Sequence, residues 1–318
     1  SILRKEKHFD EAFAGTPERK ALGIHRVRRK VDNVWQQHDV HMWPSYYIRR
    51  YLSDTNVVDR LDADPTEGLV YTDKLNLKVL NVFRQSPTPP AAVERLKPDR
   101  FLDHIKWILN HDEEAYQHFL KWLAWVIFKP DKRMWHGVLI SGQQGTGKTI
   151  IANVLKTILG TAAKSVTPRS IKSDHNEWLL DQRLVVVDEI KEAGNHTIYN
   201  SIKTNFTDDE LQINPKHQSE FSIQNYVNYF LLSNYAIPLN IDADDRRLFY
   251  VYSEAVKKHN EYYMGPDSLT DYLFQQGGVW SFRNFLQEEI LPTLDDNFNK
   301  APPPFTKDKL SLIEGGMN

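Results

Sequence analysis

Eight consecutive residues, Gly142-Gln143-Gln144-Gly145-Thr146-Gly147-Lys148-Thr149, satisfy the spacing G-x-x-x-x-G-K-[ST] at every fixed position. Glycines let a backbone curl until successive N–H groups converge, and that concavity binds anions. A helix starting at the end of the loop adds its positive N-terminus to the same charge. Lys148 is then placed to reach the β- and γ-phosphates of a nucleotide, and the Thr149 hydroxyl is a hard oxygen ligand for Mg²⁺. All eight residues are therefore candidate nucleotide contacts, with ATP and Mg²⁺ as the expected ligands.

Forty residues beyond Lys148, Leu184-Val185-Val186-Val187 ends in Asp188-Glu189. Four aliphatics fix a buried strand, and the two carboxylates emerge at the sheet edge where ligands bind. Asp188 would hold Mg²⁺ together with Thr149, and Glu189 would orient or deprotonate an attacking water. A third apolar run, Tyr229-Phe230-Leu231-Leu232, ends in Ser233-Asn234, whose amide can bond both a γ-phosphate and a water. Asp244-Asp245-Arg246-Arg247 precedes a further apolar run. Arginine presents a planar, always-charged fork suited to a transferring phosphoryl group, and spacing alone does not choose between Arg246 and Arg247.

These residues need a frame. An apolar strand over Val138–Ile140 precedes the glycine loop, and Ile151, Val154, Leu155 and Ile158 follow it at helical spacing, with Gly160 as a stop. With strands expected over Leu184–Val187, Tyr229–Leu232 and Leu248–Val251, the grammar is α/β, a P-loop core on a central parallel sheet. Upstream, Tyr116, Leu120, Leu123 and Ile127 form a helical stripe ended by Lys129-Pro130. Gly68 to Val82 has strand composition, and Ser86 to Ala92 reads as a rigid connector. Arg19, Lys20, Arg26, Arg28, Arg29 and Lys30 form a basic run broken by Leu22, Ile24 and Val27, which reads as a solvated helix face or a phosphate-contacting patch. Four regions are expected: 1–70 of open role, a mainly helical 71–130, an ATPase core over 131–253, and a helical tail over 254–318.

Composition bounds the alternatives. Forty basic and forty-two acidic residues nearly cancel, so any nucleic-acid contact must be a local patch rather than a global field. Cysteine is absent, which excludes a disulfide framework, a thiolate metal site and a Cys nucleophile, and fits a reducing cytoplasm. Trp122 to Phe128 is the longest apolar run, far short of the roughly 20 residues of a membrane span. The opening Ser1 is what an excised piece of a longer protein, or a processed N-terminus, would show.

The order of motifs between Gly142 and Arg247 resembles the superfamily 3 helicases, AAA+ ATPases of viruses, phages and plasmids. More narrowly it resembles the helicase part of D5-type primase–helicases and of phage primase–polymerases. The flanks Leu80–Arg84, Phe101–His104, Phe119–Pro130 and Ala301–Lys307 resemble the same proteins, so the likeness runs from about residue 70 to 310. It implies a homo-oligomeric ring, hexameric in this family, that hydrolyses ATP at subunit interfaces and moves 3′ to 5′ on single-stranded DNA. Arg246 or Arg247 would then act on a neighbour's nucleotide. The resemblance also implies a DNA-contacting hairpin. Leu211 to Ile223 fits it, with Lys216 and His217 at the tip and Lys203 on the helix before. A linked primase or polymerase domain, and cytoplasmic work at replicating DNA, follow from the same likeness. Two rivals stay open: an ATP-binding oligomeric clamp that supports such a domain without unwinding, and a monomeric small-molecule kinase sharing only the P-loop.

Overall fold

The structure is a computed structural model that describes residues 24–31, 34–41, 60–62, 64–68, 70–81, 83, 86–87, 96–190, 197–216, 220–239 and 241–316. The chain divides into two compact units, residues 1–83 and 84–318. In the first, strand β1 (Ile24–Val31) pairs antiparallel with β2 (Val34–His41), from Ile24 opposite His41 to Val31 opposite Val34. The basic run was expected on a helix face, and the structure corrects this: Arg26, Arg28, Arg29 and Lys30 lie in β1. The β-branched Ile24, Val27, Val31, Val34 and Val40 favour the extended chain. Arg19 and Lys20 lie outside the described residues, as does most of the 86–92 connector. Strands β3 (Arg60–Asp62), β4 (Val70–Thr72) and β5 (Lys78–Asn81) form a small sheet in the order β3-β5-β4.

The second unit is built on five parallel strands: β6 (Gly137–Gly142), β7 (Ala163–Val166), β8 (Leu184–Val187), β11 (Asn228–Leu232) and β12 (Leu248–Ser253). A separate antiparallel hairpin, β9 (Glu210–Ile213) with β10 (Phe221–Gln224), lies between β8 and β11 in sequence. The order across the sheet is β12-β6-β11-β8-β7, so β11 is inserted between the strand that precedes the glycine loop and the strand that ends in Asp188-Glu189.

Burial of both faces explains why these strands read as continuous apolar runs. Alternate side chains point to opposite faces. Val138, Ile140, Leu184, Val186, Phe230, Leu232, Phe249 and Val251 face one core. Leu139, Val185, Val187, Tyr229, Leu231, Leu248 and Tyr250 face the other. The first core is closed by α1 (Asp99–Ile108), α2 (Glu113–Phe128) and α3 (Lys148–Leu159), joined by residues 269–290. The second is closed by α4 (Thr197–Ile202), the hairpin, and Leu312 and Ile313 of α5 (Lys307–Gly316). The helical segments on either side of the sheet in sequence thus share its core.

Helix α2 begins at Asp112, whose carboxylate accepts from the Ala115 N–H at 3.0 Å. Tyr116, Leu120, Leu123 and Ile127 are all buried, as expected of the stripe. Trp122 and Trp125 are buried too, and each indole N–H donates to a carbonyl, of His136 and Lys132.

Three histidines are enclosed without a carboxylate. His118 and His136 meet Nε2 to Nε2 at 3.0 Å, so one donates and the other, which must be neutral, accepts. Burial lowers His104 and His118 to about 4, and pushes His136 well below its ordinary value. A base whose folded pKa is depressed takes up fewer protons than the unfolded chain below about pH 6.5, so stability falls as the solution is acidified. For His104 and His118 we expect a loss of about 2 kcal/mol each between pH 7 and pH 5. Urea unfolding at the two pH values reads it directly; an unchanged midpoint would contradict neutral burial.

Candidate functional site

Strand β6 delivers the chain to Gly142, and the loop 142–147 wraps at its end before α3 begins at Lys148. Gly147 sits at φ 94°, and a Cβ there would stand 2.6 Å from the His104 ring. Only glycine meets both demands. His104 accepts this closeness because it is shaped to the loop: its Nε2 is 3.2 Å from the Gly147 carbonyl and its Nδ1 is 3.2 Å from the Tyr262 hydroxyl. The Thr146 hydroxyl donates to the Gln143 carbonyl at 3.0 Å. Lys148 is buried, and its ammonium donates to the carbonyls of Gly142 at 2.8 Å and Gln143 at 2.7 Å. Burial lowers its pKa to about 8, opposed by the carboxylate of Asp188. It remains a cation at neutral pH.

At the end of β8, the Asp188 carboxylate accepts from the Thr149 hydroxyl at 3.2 Å and from the Glu189 N–H at 2.8 Å. Glu189 itself has φ 59°, a left-handed conformation that costs a non-glycine residue roughly 1–2 kcal/mol. The turn lets the Ile190 N–H return to the Leu232 carbonyl at 3.1 Å while the Glu189 side chain is turned outward and exposed. Strain of this kind clusters at functional positions. One strand over, Ser233 extends β11: its N–H donates to Ile140 O at 3.1 Å and its hydroxyl to Ile190 O at 2.6 Å, which leaves Asn234 exposed at the edge.

These three strand ends open on one cleft of about 370 Å³. Of the predicted residues, Gln144, Gly145, Gly147, Lys148, Thr149, Asp188, Glu189 and Asn234 line it. Gly142, Gln143 and Thr146 shape the loop instead, through the carbonyls and hydroxyl just described. The oxygens of Thr149 and Asp188 suit a hard divalent ion that keeps waters and takes its remaining ligands from phosphate. Among the described residues no cluster of three or more His, Asp or Glu could hold a metal by itself. Sequence reasoning missed the opposite wall, Lys257, Asn260, Tyr263 and Met264, together with Ile150 and Asn153 on α3. No motif marks that wall; only the chain's return after β12 creates it.

The two arginines are elsewhere. Leu248 pairs with Gly137 and Ser253 with Gly142, so the start of β12 lies about 16 Å along the strand from the end that bears the loop. Arg246 and Arg247 therefore sit at the edge opposite their own chain's cleft. Arg246 is exposed, whereas Arg247 is half-buried, its N–H donating to Asp245 at 3.1 Å and its carbonyl accepting from Gly137 at 2.9 Å. Asp245 is held by the Tyr199 hydroxyl and by Lys309 of α5 at 3.0 Å, with both members of that ion pair almost wholly enclosed.

The hairpin forms with Phe221 opposite Ile213, and Leu211, Ile213 and Ile223 pack inward. Asn176 fastens its root, donating to Gln212 O at 2.7 Å and accepting from Asn214 N at 2.7 Å. Lys216 is exposed in the connecting turn; His217 lies outside the described residues. Lys203 stands one residue beyond the end of α4 rather than within the helix. The neighbouring Asp208, Asp209 and Glu210 are exposed, and Asp209 pairs with buried Arg133 at 3.2 Å.

Residues 139–247 match a family model described as a family of unknown function, DUF5906. The chain is 29% identical over 193 residues to the DNA primase-polymerase of Nitratiruptor phage NrS-1, and is homologous to it over 59% of its own length and 26% of that protein's. It thus spans about a quarter of this curated relative. Two apo structures of the NrS-1 C-terminal region share its fold. One has a TM-score of 0.67 at 23% identity, covering 80% of this chain and 60% of that one. The A form has a TM-score of 0.68 at 20% identity, covering 92% and 70%.

Proposed function

We propose that the second unit is an ATP-hydrolysing motor domain of the superfamily 3, AAA+ type, acting on single-stranded DNA in the replication of a phage or related mobile element. The observation that carries the reading is the meeting of Lys148, Thr149, Asp188, Glu189 and Asn234, from three adjacent strand ends, at one cleft of nucleotide size. The insertion of β11 between β6 and β8 supports the assignment further, because it brings Asn234 between the phosphate loop and the acidic strand end.

In this reading, the loop amides and Lys148 bind the triphosphate. Thr149 and Asp188 would hold Mg²⁺, which when bound would supply positive charge to the phosphate oxygens. Glu189 takes a proton from a water that Asn234 helps to orient, the water oxygen bonds to the γ-phosphorus, and the bond to the β–γ bridging oxygen breaks, releasing ADP and phosphate. The charge developing there calls for an arginine. Arg246 and Arg247, at the far edge, cannot serve their own chain's cleft, which favours delivery from a neighbour in a ring over a self-sufficient kinase. Arg246 is the better finger because it is exposed, while Arg247 is tied into the sheet edge. The hairpin tip, with Lys216, would follow the phosphates of a single strand without reading its sequence. The relative's name, a DNA primase-polymerase, supports a linked synthesis domain in the whole protein. The exposed acids beside the hairpin weaken its attraction for phosphates, and a ring that holds DNA without unwinding it is the second reading. ATPase stimulated by single-stranded DNA together with fork unwinding supports the motor; ATPase without unwinding supports the clamp.

Glu189→Gln should lower hydrolysis by at least about a hundredfold while ATP still binds. Glu189→Gly should do the same and leave the melting temperature unchanged or raised, because the left-handed turn then carries no penalty; a clear drop in melting temperature would contradict the strained turn. Lys216→Ala should weaken single-strand binding and flatten its dependence on salt by about 0.7 in the logarithmic slope per lost contact, with DNA-free ATPase preserved. Unchanged DNA affinity would remove the hairpin from the DNA path.

A further inference from the structure

We infer that Lys257 is a second phosphate-binding cation of the cleft, supplied by the chain after β12 and laid across the loop at Gly145. The inference rests on the nucleotide reading above and adds to it a ligand contact that the motifs do not contain.

Charge is the starting point. The cleft carries two carboxylates, Asp188 and Glu189, and among its described lining residues the cations are Lys148 and Lys257. Lys148 opens α3, its ammonium donating to two loop carbonyls. Lys257 comes from the other wall. Its Cδ, Cε and Cγ would lie 3.1, 3.5 and 3.6 Å from a Cβ at Gly145, so the aliphatic stem runs flat over that glycine. The Lys257 N–H faces the Gln143 side-chain oxygen at 3.4 Å. Lys257 is exposed and forms no ion pair with a described residue. A lysine that spends its stem on a phosphate loop, and meets no carboxylate, has its charge left for an anionic ligand.

The wall that carries Lys257 is fixed on both sides. The next residue, Lys258, turns the other way and lies over the rings of Trp107 at 4.2 Å and Tyr262 at 4.0 Å. Its N–H donates to the Tyr263 hydroxyl at 3.2 Å, and the Tyr263 ring stands 3.2 Å from where a Cβ on Gly147 would be. Tyr262 in turn meets His104, which faces the Gly147 carbonyl. Lys258, Tyr262, Tyr263 and His104 thus clamp the segment to the loop, while Lys257 is left to the cleft. The arrangement is a phosphate site with one lysine from α3 and one from the chain after β12.

Fluorescent mant-ATP, mant-ADP and mant-AMP, titrated with Mg²⁺ into the full chain and followed by anisotropy, test this. Lys257→Ala should weaken mant-ATP by about tenfold or more, change mant-AMP far less, and leave the melting temperature unchanged, with Lys257→Arg recovering most of the affinity. The inference is overturned if Lys257→Ala binds mant-ATP as the parent does, if mant-AMP is weakened equally, or if lost affinity comes with a lowered melting temperature that Lys257→Arg does not repair. A parent protein that binds none of the three nucleotides would instead bring down the nucleotide reading itself, and the inference with it.

Discussion

Parallel pairing of β6, β11 and β8 is the constraint on which the rest depends. Each strand is buried on both faces, so its register is set by two cores at once, and its C-terminal residue can emerge only at one edge of the sheet. The loop after Gly142, the Asp188-Glu189 pair and Asn234 are neighbours for this reason, although up to 92 residues separate them in sequence. Slipping β11 by one residue would turn Tyr229 and Leu231 into the wrong core and carry Asn234 away from the cleft.

The same geometry divides the molecule into two chemical edges. One gathers the glycine loop, two acids and an amide; the other presents Arg246 beside an enclosed network of Asp245, Tyr199 and Lys309. A buried ion pair is costly unless its hydrogen bonds are complete. Here the Lys309 ammonium also donates to the carbonyls of Asp245 and Leu248, at 2.6 and 2.9 Å. The expense of enclosing those charges makes sense if the orientation of this turn matters, and on the proposed reading it holds the arginine that a neighbouring chain needs. On that reading the C-terminal helix has a place in the mechanism as well as in the core.

Much of the sheet was legible in the sequence because fully buried strands are short apolar runs with polar stops: Leu184–Val187 is observed with the bounds expected, and β11 begins one residue early at Asn228. The turn of residues 142–147 was legible because a tight passage from strand to helix at positive φ demands glycines at particular positions. Other features carried no such signature. The basic residues of β1 suggested a helix face because charge masked a β-branched pattern. The clamp of His104, Tyr262 and Gly147 joins residues 43 and 115 positions apart, each unremarkable alone. Lys257 could be found only once β12 had returned the chain to the loop. Spacing could not separate Arg246 from Arg247 either; what separates them is that one backbone is engaged by Gly137 and Asp245 and the other side chain is exposed.

The central claim is that a cleft complete in its own phosphate loop still lacks one positive charge, which another copy supplies. Mixing two variants tests it most directly: Lys148→Ala, which keeps its arginines, and the double variant Arg246→Ala with Arg247→Ala, which keeps its phosphate loop. Each alone should be inactive. Random mixing in a ring should restore roughly a quarter of the parent's ATPase, from seams that pair an intact loop with an intact arginine. A double variant that hydrolyses ATP by itself, or a mixture that stays as inactive as its parts, would contradict the account.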